Sequence, residues 1–165
     1  MKNKNFSRPP FFPMMIDVNN KEILIIGGGK VASRRAETLL RCGAKITAVS
    51  KNFDDKFPDV FKKIPRAFLI DDIQEKFSLI IAATNDRAVN KLIFDTAKIK
   101  KIPVNVCDCQ NECDFFFPSL INVENVAVSV CSAGLDSSLT RRLSDKLREI
   151  LPLWLKSRQA LEIYQ

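Results

Sequence analysis

Three consecutive glycines at positions 27–29 are the residues of this sequence best suited to hold a phosphate-containing ligand. They follow the apolar run Ile23–Ile26 and open the segment Gly27-Gly28-Gly29-Lys30-Val31-Ala32, which fits the pattern G-x-G-x-x-G/A. The first glycine turns the chain out of a strand, the second lets backbone N–H groups approach a pyrophosphate, and the third small residue lets the next helix pack closely. We therefore predict a nucleotide site at Gly27, Gly28, Gly29, Lys30 and Val31, with a purely structural glycine turn as the alternative.

A second set of reactive side chains lies in the segment Cys107-Asp108-Cys109-Gln110-Asn111-Glu112-Cys113. The chain has no histidine, so an acid–base step must use a carboxylate, a thiol, a lysine, a tyrosine or water. Asp108 follows a predicted strand at the sheet edge where the nucleotide would bind, which makes it the candidate proton acceptor; a loop turn is the alternative. The cysteines at 107, 109 and 113 lack a fourth ligand at a familiar spacing, so we predict packing residues and no metal site.

Polar residues also follow the second and fourth predicted strands. Ser50 stands at the end of the second strand, where NAD-binding domains usually place an acidic residue on the ribose. The absence of that acid, together with Lys51, leaves the choice between NAD and NADP open from the residues alone. Thr84 and Asn85 follow the fourth strand, and either Asn85 or Asp86 is expected to cap the next helix. Because ligands of open α/β sheets bind at strand carboxyl ends, the alternative to capping is that Asn85 and Asp86 line the nucleotide crevice, and Ser50 and Asn52 are the candidates to take the place of the missing acid on the cofactor.

These side chains must be positioned by alternating strands and helices, which predicts an α/β fold, a Rossmann-type doubly wound parallel sheet. Amphipathic helices begin at Val31 and near Arg87. Residues 11–18 are predicted to form an edge strand or a cover ahead of a turn at 19–21. The five predicted strands of the sheet are Ile23–Ile26, Ile46–Val49, Ala67–Ile70, Leu79–Ala83 and Pro103–Val106.

A smaller α+β segment is predicted beyond Asp114. It contains the strand Val126–Val130 and a helix that Asp136 or Ser137 caps and Pro152 ends. One strand and one helix cannot bury both apolar faces, so the segment must dock on the first domain or pair with a second subunit. We favour a homodimer, with a Rossmann domain at 1–113, a dimerisation segment at 114–152 and a short helical remnant at 153–165.

Composition narrows the class of protein. The chain has 165 residues, 46% hydrophobic residues and a net charge of +7, which excludes a disordered chain. No apolar run approaches the roughly 18 residues of a membrane span, and no signal-peptide core follows the basic residues 1–10, so we expect a cytoplasmic protein whose five cysteines are thiols. Basic residues are dispersed rather than clustered, which disfavours nucleic-acid binding and suits a small polyanionic ligand.

The ordered set of motifs resembles the precorrin-2 dehydrogenase/sirohydrochlorin ferrochelatase family of siroheme synthesis. The resemblance covers about residues 11–152. The motifs that carry it are Phe12-Pro13, Ile26 to Ala32, Ala82-Ala83-Thr84-Asn85-Asp86, Asn105-Val106-Cys107-Asp108, Phe117-Pro118-Ser119, Val128 to Gly134, Arg141-Arg142-Leu143, Lys146-Leu147 and Leu151-Pro152.

The resemblance implies NAD-dependent oxidation of the tetrapyrrole precorrin-2 to sirohydrochlorin and, in bifunctional members, insertion of ferrous iron as a ferrochelatase to give siroheme. It implies Asp108 as the catalytic residue and NAD on the glycine turn, with Thr84 and Asn85 beside the cofactor. The family also lacks the acid after the second strand, which favours NAD. The candidate substrate-binding residues are Asn105, Ser132, Gly134 and Arg141. Members are homodimers and usually continue into a larger helical domain beyond the position of Pro152, which leaves ferrochelatase activity open here.

Two other functions remain open from the sequence. A non-catalytic NAD- or tetrapyrrole-sensing module would use the same glycine turn without releasing NADH. A ferrochelatase without dehydrogenase activity would use sirohydrochlorin and ferrous iron and would ignore NAD, although the intact turn at 27–32 disfavours it.

Overall fold

The structure, a computed structural model, describes residues 11–162. The basic segment 1–10 and residues 163–165, which the predicted first domain and helical remnant include, lie outside the described residues. The described chain forms two compact units. One is Val18–Phe117, and the other consists of residues 11–17 with residues from Pro118 onward.

The first unit is a five-stranded parallel sheet in the order β3-β2-β1-β4-β5. Its strands are β1 (Glu22–Ile26), β2 (Lys45–Val49), β3 (Lys62–Ile64), β4 (Leu79–Ala82) and β5 (Val104–Val106), and its helices are α1 (Lys30–Arg41) and α2 (Arg87–Ile99). This strand order, with a helix after β1 and another after β4, confirms the predicted Rossmann-type class.

The sheet is covered on both faces, as continuous apolar strands require. Residues Ile23–Ile26 are at most 1% exposed. Ile23 and Ile25 pack with α1 residues such as Ala36 on one face. Leu24 packs with α2 residues such as Ile93 on the other. Successive side chains of one strand therefore contact different helices, which fixes both helices to the same central strand.

The predicted third strand at Ala67–Ile70 is wrong. The strand that pairs with β2 is Lys62–Ile64, whereas residues 67–69 are irregular and Ile70–Asp72 forms a short 3-10 helix. An edge strand contacts one neighbour and can be polar, so it lacks the apolar run used to predict it. Leu69 and Ile70 are 55% and 50% exposed, and Arg66 donates to both carboxylate oxygens of Asp72 to close this turn.

Residues 11–18 form no strand, which corrects the expected edge strand. Their large apolar side chains, including Phe12 and Met15, are exposed, and Val18 is the buried member of the segment. The turn predicted at 19–21 is present at Asn19–Asn20, where Asn20 adopts a φ of 58°, a conformation that asparagine tolerates well.

The outer edge of β5 is occupied by the chain that follows it. Asp114 exchanges backbone and side-chain hydrogen bonds with Val104: its N–H donates to Val104 O at 2.9 Å and its Oδ2 accepts from Val104 N at 3.1 Å. The Cys113 Sγ accepts from Val106 N at 3.3 Å and donates to Val106 O at 3.2 Å. A carboxylate and a thiol therefore take the place of a sixth strand.

The second unit contains an antiparallel hairpin and one long helix. The hairpin strands are β6 (Ser119–Val123) and β7 (Val126–Val130), and the helix is α3 (Ser137–Glu162). The strand Val126–Val130 is as predicted, and Asp136 caps α3 by accepting from Leu139 N at 2.8 Å.

The predicted helix end at Pro152 is wrong, because α3 continues through this proline to Glu162. Proline removes one N–H from the helical hydrogen-bond ladder but leaves the following residues free to continue it. The predicted boundary between 152 and 153 therefore falls inside one helix. Within residues 11–162, no helix combines the length and apolar character that crossing a membrane requires.

Candidate cofactor and active site

The glycine turn connects β1 to α1 and touches two neighbouring loops. Gly27 has a φ of 122°, and a Cβ on it would lie 2.2 Å from the carbonyl oxygen of Ala83. A Cβ on Gly28 would lie 2.2 Å from the carbonyl oxygen of Asn52. A Cβ on Gly29 would meet nothing within 4 Å. Two glycines are thus required by the protein's own packing, while the space beside Gly29 is open to a ligand.

The first turn of α1 offers backbone donors to that space. Gly29 is the N-cap residue and supplies no side chain to the N–H groups of the first turn. Such N–H groups, with the helix dipole, favour an anion. Lys30 and Val31 are exposed at the start of α1 and are not among the residues that line the adjoining cleft.

A cleft of about 600 Å³ adjoins the turn along the carboxyl ends of the strands. Its lining residues are Ile26 to Gly29, Val49 to Asp54, Ala67, Phe68, Ala83 to Asp86 and Val89. The cleft thus brings together the predicted cofactor residues Gly27, Gly28, Gly29, Ser50, Thr84 and Asn85. An open glycine turn beside a cleft of this volume fits a dinucleotide.

Ser50 ends β2 and faces its own loop. Its Oγ donates to the carbonyl oxygen of Asn52 at 2.6 Å. That bond fixes the loop whose carbonyl contacts Gly28. No carboxylate stands at the position after β2, as the sequence predicts.

The loop after β4 is fixed by a buried asparagine on α2. Asn90 is 0% exposed, its Oδ1 accepts from Thr84 N at 3.2 Å and from Thr84 Oγ1 at 2.7 Å, and its Nδ2 donates to Thr84 O at 3.1 Å. Asp86 Oδ1 accepts from Ala88 N at 2.9 Å and from Val89 N at 3.2 Å. Asp86, rather than Asn85, therefore caps α2.

Asp108 lies two residues beyond the end of β5, the strand that pairs with β4. The N–H of Cys107 donates to Ala82 O at 2.9 Å, so Asp108 begins where the β4–β5 pairing ends. Its side chain is 35% exposed. Arg87, the first residue of α2, places Nη1 3.4 Å from Asp108 Oδ1 and Nη2 2.5 Å from Glu112 Oε2. Asp108 is thus an accessible carboxylate with a cation beside it.

The cysteines of this segment are free thiols with packing roles. Burial raises the pKa of Cys107 to about 11, and burial also raises the pKa of Cys113. Raised pKa values keep both thiols neutral near pH 7, which disfavours them as nucleophiles. Among residues 11–162, no three His, Cys, Asp or Glu side chains are grouped so that they could hold a metal ion.

Asn105, a predicted substrate-binding residue, is 2% exposed. Its Oδ1 accepts from Arg35 Nη1, and its Nδ2 donates to Phe115 O at 2.6 Å. The Arg35 guanidinium also lies over the Phe117 ring, 4.9 Å from its centroid. Both polar groups of the Asn105 side chain are therefore hydrogen-bonded within the protein, one to Arg35 and the other to the backbone of the 113–117 segment.

The other three predicted substrate residues belong to the second unit. Ser132 Oγ donates to Asp136 O and accepts from Asp136 N, both at 3.0 Å. Gly134 is exposed with a φ of 78°. Arg141 is exposed on α3, 3.8 Å from Asp145. Ser132 thus joins the hairpin to the start of α3.

A family model described as NAD(P)-binding matches residues 14–119, well over half of the chain. The chain belongs to this family. The match includes the glycine turn, the loop after β4 and Asp108, so the predicted nucleotide-binding class is confirmed.

The chain is similar in sequence to part of several siroheme synthases. It is 32% identical over 147 residues to the siroheme synthase of Actinobacillus pleuropneumoniae serotype 3 (strain JL03), covering 86% of this chain and 30% of that protein. It is 35% identical over 147 residues to siroheme synthase 1 of Serratia proteamaculans (strain 568), covering 86% and 31%. The chain therefore spans about 30% of the length of these relatives. The predicted resemblance to the siroheme-synthesis family is confirmed.

A solved structure shares the fold. The structure of SirC, precorrin-2 dehydrogenase, matches with a TM-score of 0.66 at 23% identity, over 84% of this chain and 70% of that chain. This likeness supports the Rossmann-type architecture of the NAD(P)-binding domain.

Three residues of this site were missed by the sequence analysis. Asn90 was detectable, because it is a polar residue on the buried face of an amphipathic helix that carries Ile93 and Ala97. Arg87 and Glu112 lie 25 positions apart, and no local pattern pairs them.

Proposed function

We propose that this chain is an NAD-dependent precorrin-2 dehydrogenase that forms sirohydrochlorin in siroheme biosynthesis. The observation that carries the proposal is the placement of an open glycine cradle and an accessible carboxylate at the same edge of one sheet. Gly29 has free space beside it, and Asp108 follows β5, which β4 separates from β1, with a 35% exposed side chain. The siroheme synthase relatives support the choice of substrate.

The chemistry divides between cofactor and protein. NAD, when bound, accepts a hydride, and oxidation of the substrate C–H bond also releases one proton. The Asp108 carboxylate takes that proton, since it is the accessible carboxylate that follows β5 at this edge of the sheet. The backbone donors at the start of α1 hold the pyrophosphate, while the Thr84–Asn90 hydrogen bonds keep the loop after β4 in place.

Three further assignments belong to the proposal. The residues proposed to bind the tetrapyrrole are Asn105, Ser132, Gly134 and Arg141, with Asn105 acting by holding Arg35.

A homodimer through the second unit is supported by the exposed apolar side chains of α3. Those side chains are Leu139, Leu143, Ile150, Leu153 and Trp154. We place the protein in the cytoplasm, where five free thiols persist.

The test is anaerobic incubation of the purified protein with precorrin-2 and NAD, following NADH absorbance and the tetrapyrrole spectrum. We expect NADH and sirohydrochlorin in equal amounts. Asp108→Asn should abolish turnover while NAD binding persists, and the control Asp71→Asn, an exposed carboxylate on the 3-10 helix, should retain activity. Ferrous iron added afterwards tests chelation against the uncatalysed rate. A folded protein that binds NAD but releases no NADH would instead be a sensing module.

A further inference from the structure

Arg87 lies between two carboxylates that follow β5. Its Nη2 is 2.5 Å from Glu112 Oε2, and its Nη1 is 3.4 Å from Asp108 Oδ1. The first distance is that of a tight ion pair. The second distance is at the long limit of a hydrogen bond. The Arg87 guanidinium therefore contacts Glu112 tightly and Asp108 only weakly.

Burial explains the asymmetry. The Glu112 side chain is 14% exposed, compared with 35% for Asp108 and 46% for Arg87. A partly buried carboxylate needs its counter-charge more than an exposed one does. The Glu112 carboxylate raises the pKa of the Arg87 guanidinium, so the cation persists at every working pH. Glu112 thus fixes the position of the Arg87 guanidinium.

The position of Arg87 is also fixed from its own side. Arg87 directly follows Asp86, whose side chain caps α2 and whose loop lines the cofactor cleft. The other ionisable groups beside Asp108 are the thiols of Cys107 and Cys109. Burial keeps the Cys107 thiol neutral, since its pKa is about 11. Within the described residues, Arg87 is the cation in contact with Asp108.

We infer that Arg87 is a positioning residue for Asp108 and that Glu112 restrains it. This inference rests on the proposed dehydrogenase function. Restrained at 3.4 Å, Arg87 holds the Asp108 carboxylate in place without occupying it in a tight salt bridge. A closer contact would stabilise the carboxylate and weaken it as a proton acceptor.

The experiment compares the pH dependence of kcat/KM for precorrin-2, at saturating NAD, in three variants. Arg87→Gln removes the cation, so kcat should fall and the acidic limb should move to higher pH. Arg87→Lys keeps the charge and should restore much of the profile. Glu112→Gln frees Arg87 to close on Asp108, so the acidic limb should move to lower pH.

Lys98→Gln is the matched control. Lys98 is a cation of the same helix, paired with Asp114 of the same loop at 2.7 Å, and its loss should leave the profile unchanged. NAD affinity and thermal stability are measured for every variant, and the opposite shift in Glu112→Gln carries the test if Arg87→Gln does not fold. A wild-type profile for Arg87→Gln, or shifts of the same sign for Arg87→Gln and Glu112→Gln, would overturn the inference. Full activity of Asp108→Asn would instead overturn the proposed function itself.

Discussion

Gly27 and Gly29 show how two glycines of one motif meet different requirements. Gly29 has an extended backbone, with a φ of −81°, and open space beside it. Gly29→Ala should therefore leave the free energy of unfolding nearly unchanged while weakening NAD binding by about tenfold or more, because the added methyl group enters the pyrophosphate space. Calorimetric titration with NAD and urea denaturation measure the two quantities.

Gly27→Ala is the comparison for that variant. Its positive φ and the 2.2 Å approach to the Ala83 carbonyl should lower the free energy of unfolding by at least about 2 kcal/mol. The same titration and denaturation apply. Unchanged NAD affinity in Gly29→Ala would contradict the proposal that the pyrophosphate binds beside Gly29.

Cys107 should make stability depend on alkaline pH. Burial raises its pKa from 9.0 to about 11, so between these values the unfolded chain has released a proton that the folded chain retains. The stabilisation is complete below pH 9 and is lost as pH rises to 11, by up to about 1.4 kcal/mol per pH unit. Cys107→Ser should flatten this slope in urea denaturation, whereas Cys42→Ser, at an exposed thiol, should not. Equal slopes in both variants would contradict the assignment.

At the scale of elements, α2 depends on its cap. Asp86 accepts two hydrogen bonds from the first turn, so Asp86→Ala should lower the free energy of unfolding by about 1 kcal/mol. Asn85→Ala changes the neighbouring exposed residue and should have an effect below about 0.5 kcal/mol. Urea denaturation of both variants distinguishes them, and equal losses would show that the cap contributes nothing specific.

The elements also show what sequence can predict. The strands β1, β2, β4 and β5 were predictable, because each is an apolar run covered on both faces. β3 was not, since Lys62 and Lys63 are exposed on an edge strand. The continuation of α3 through Pro152 was missed because proline weakens a helix without always ending it. The glycine turn followed from local sequence, whereas the Arg87–Glu112 pair depends on tertiary folding.

At the scale of the whole molecule, association should depend on α3. The exposed apolar side chains of α3 form an apolar stripe that includes Leu143, which is 47% exposed. Leu143→Glu should convert the proposed dimer to a monomer, because it places a charge in the interface. Ser138→Glu adds the same charge to an exposed position outside the stripe and should leave the dimer intact. Sedimentation velocity distinguishes the two, and a wild-type protein that is already monomeric would contradict the proposal.

The outer edge of β5 is protected from pairing with another chain. Cys113 and Asp114 occupy the backbone groups to which a foreign strand would otherwise add. The sulfur can donate to Val106 O only while it carries its proton, and its raised pKa preserves that proton. Oxidation of this one thiol to a sulfinic acid would remove the donor and expose the strand. Protein that is oxidised at Cys113 should therefore be prone to strand-to-strand polymerisation along β5.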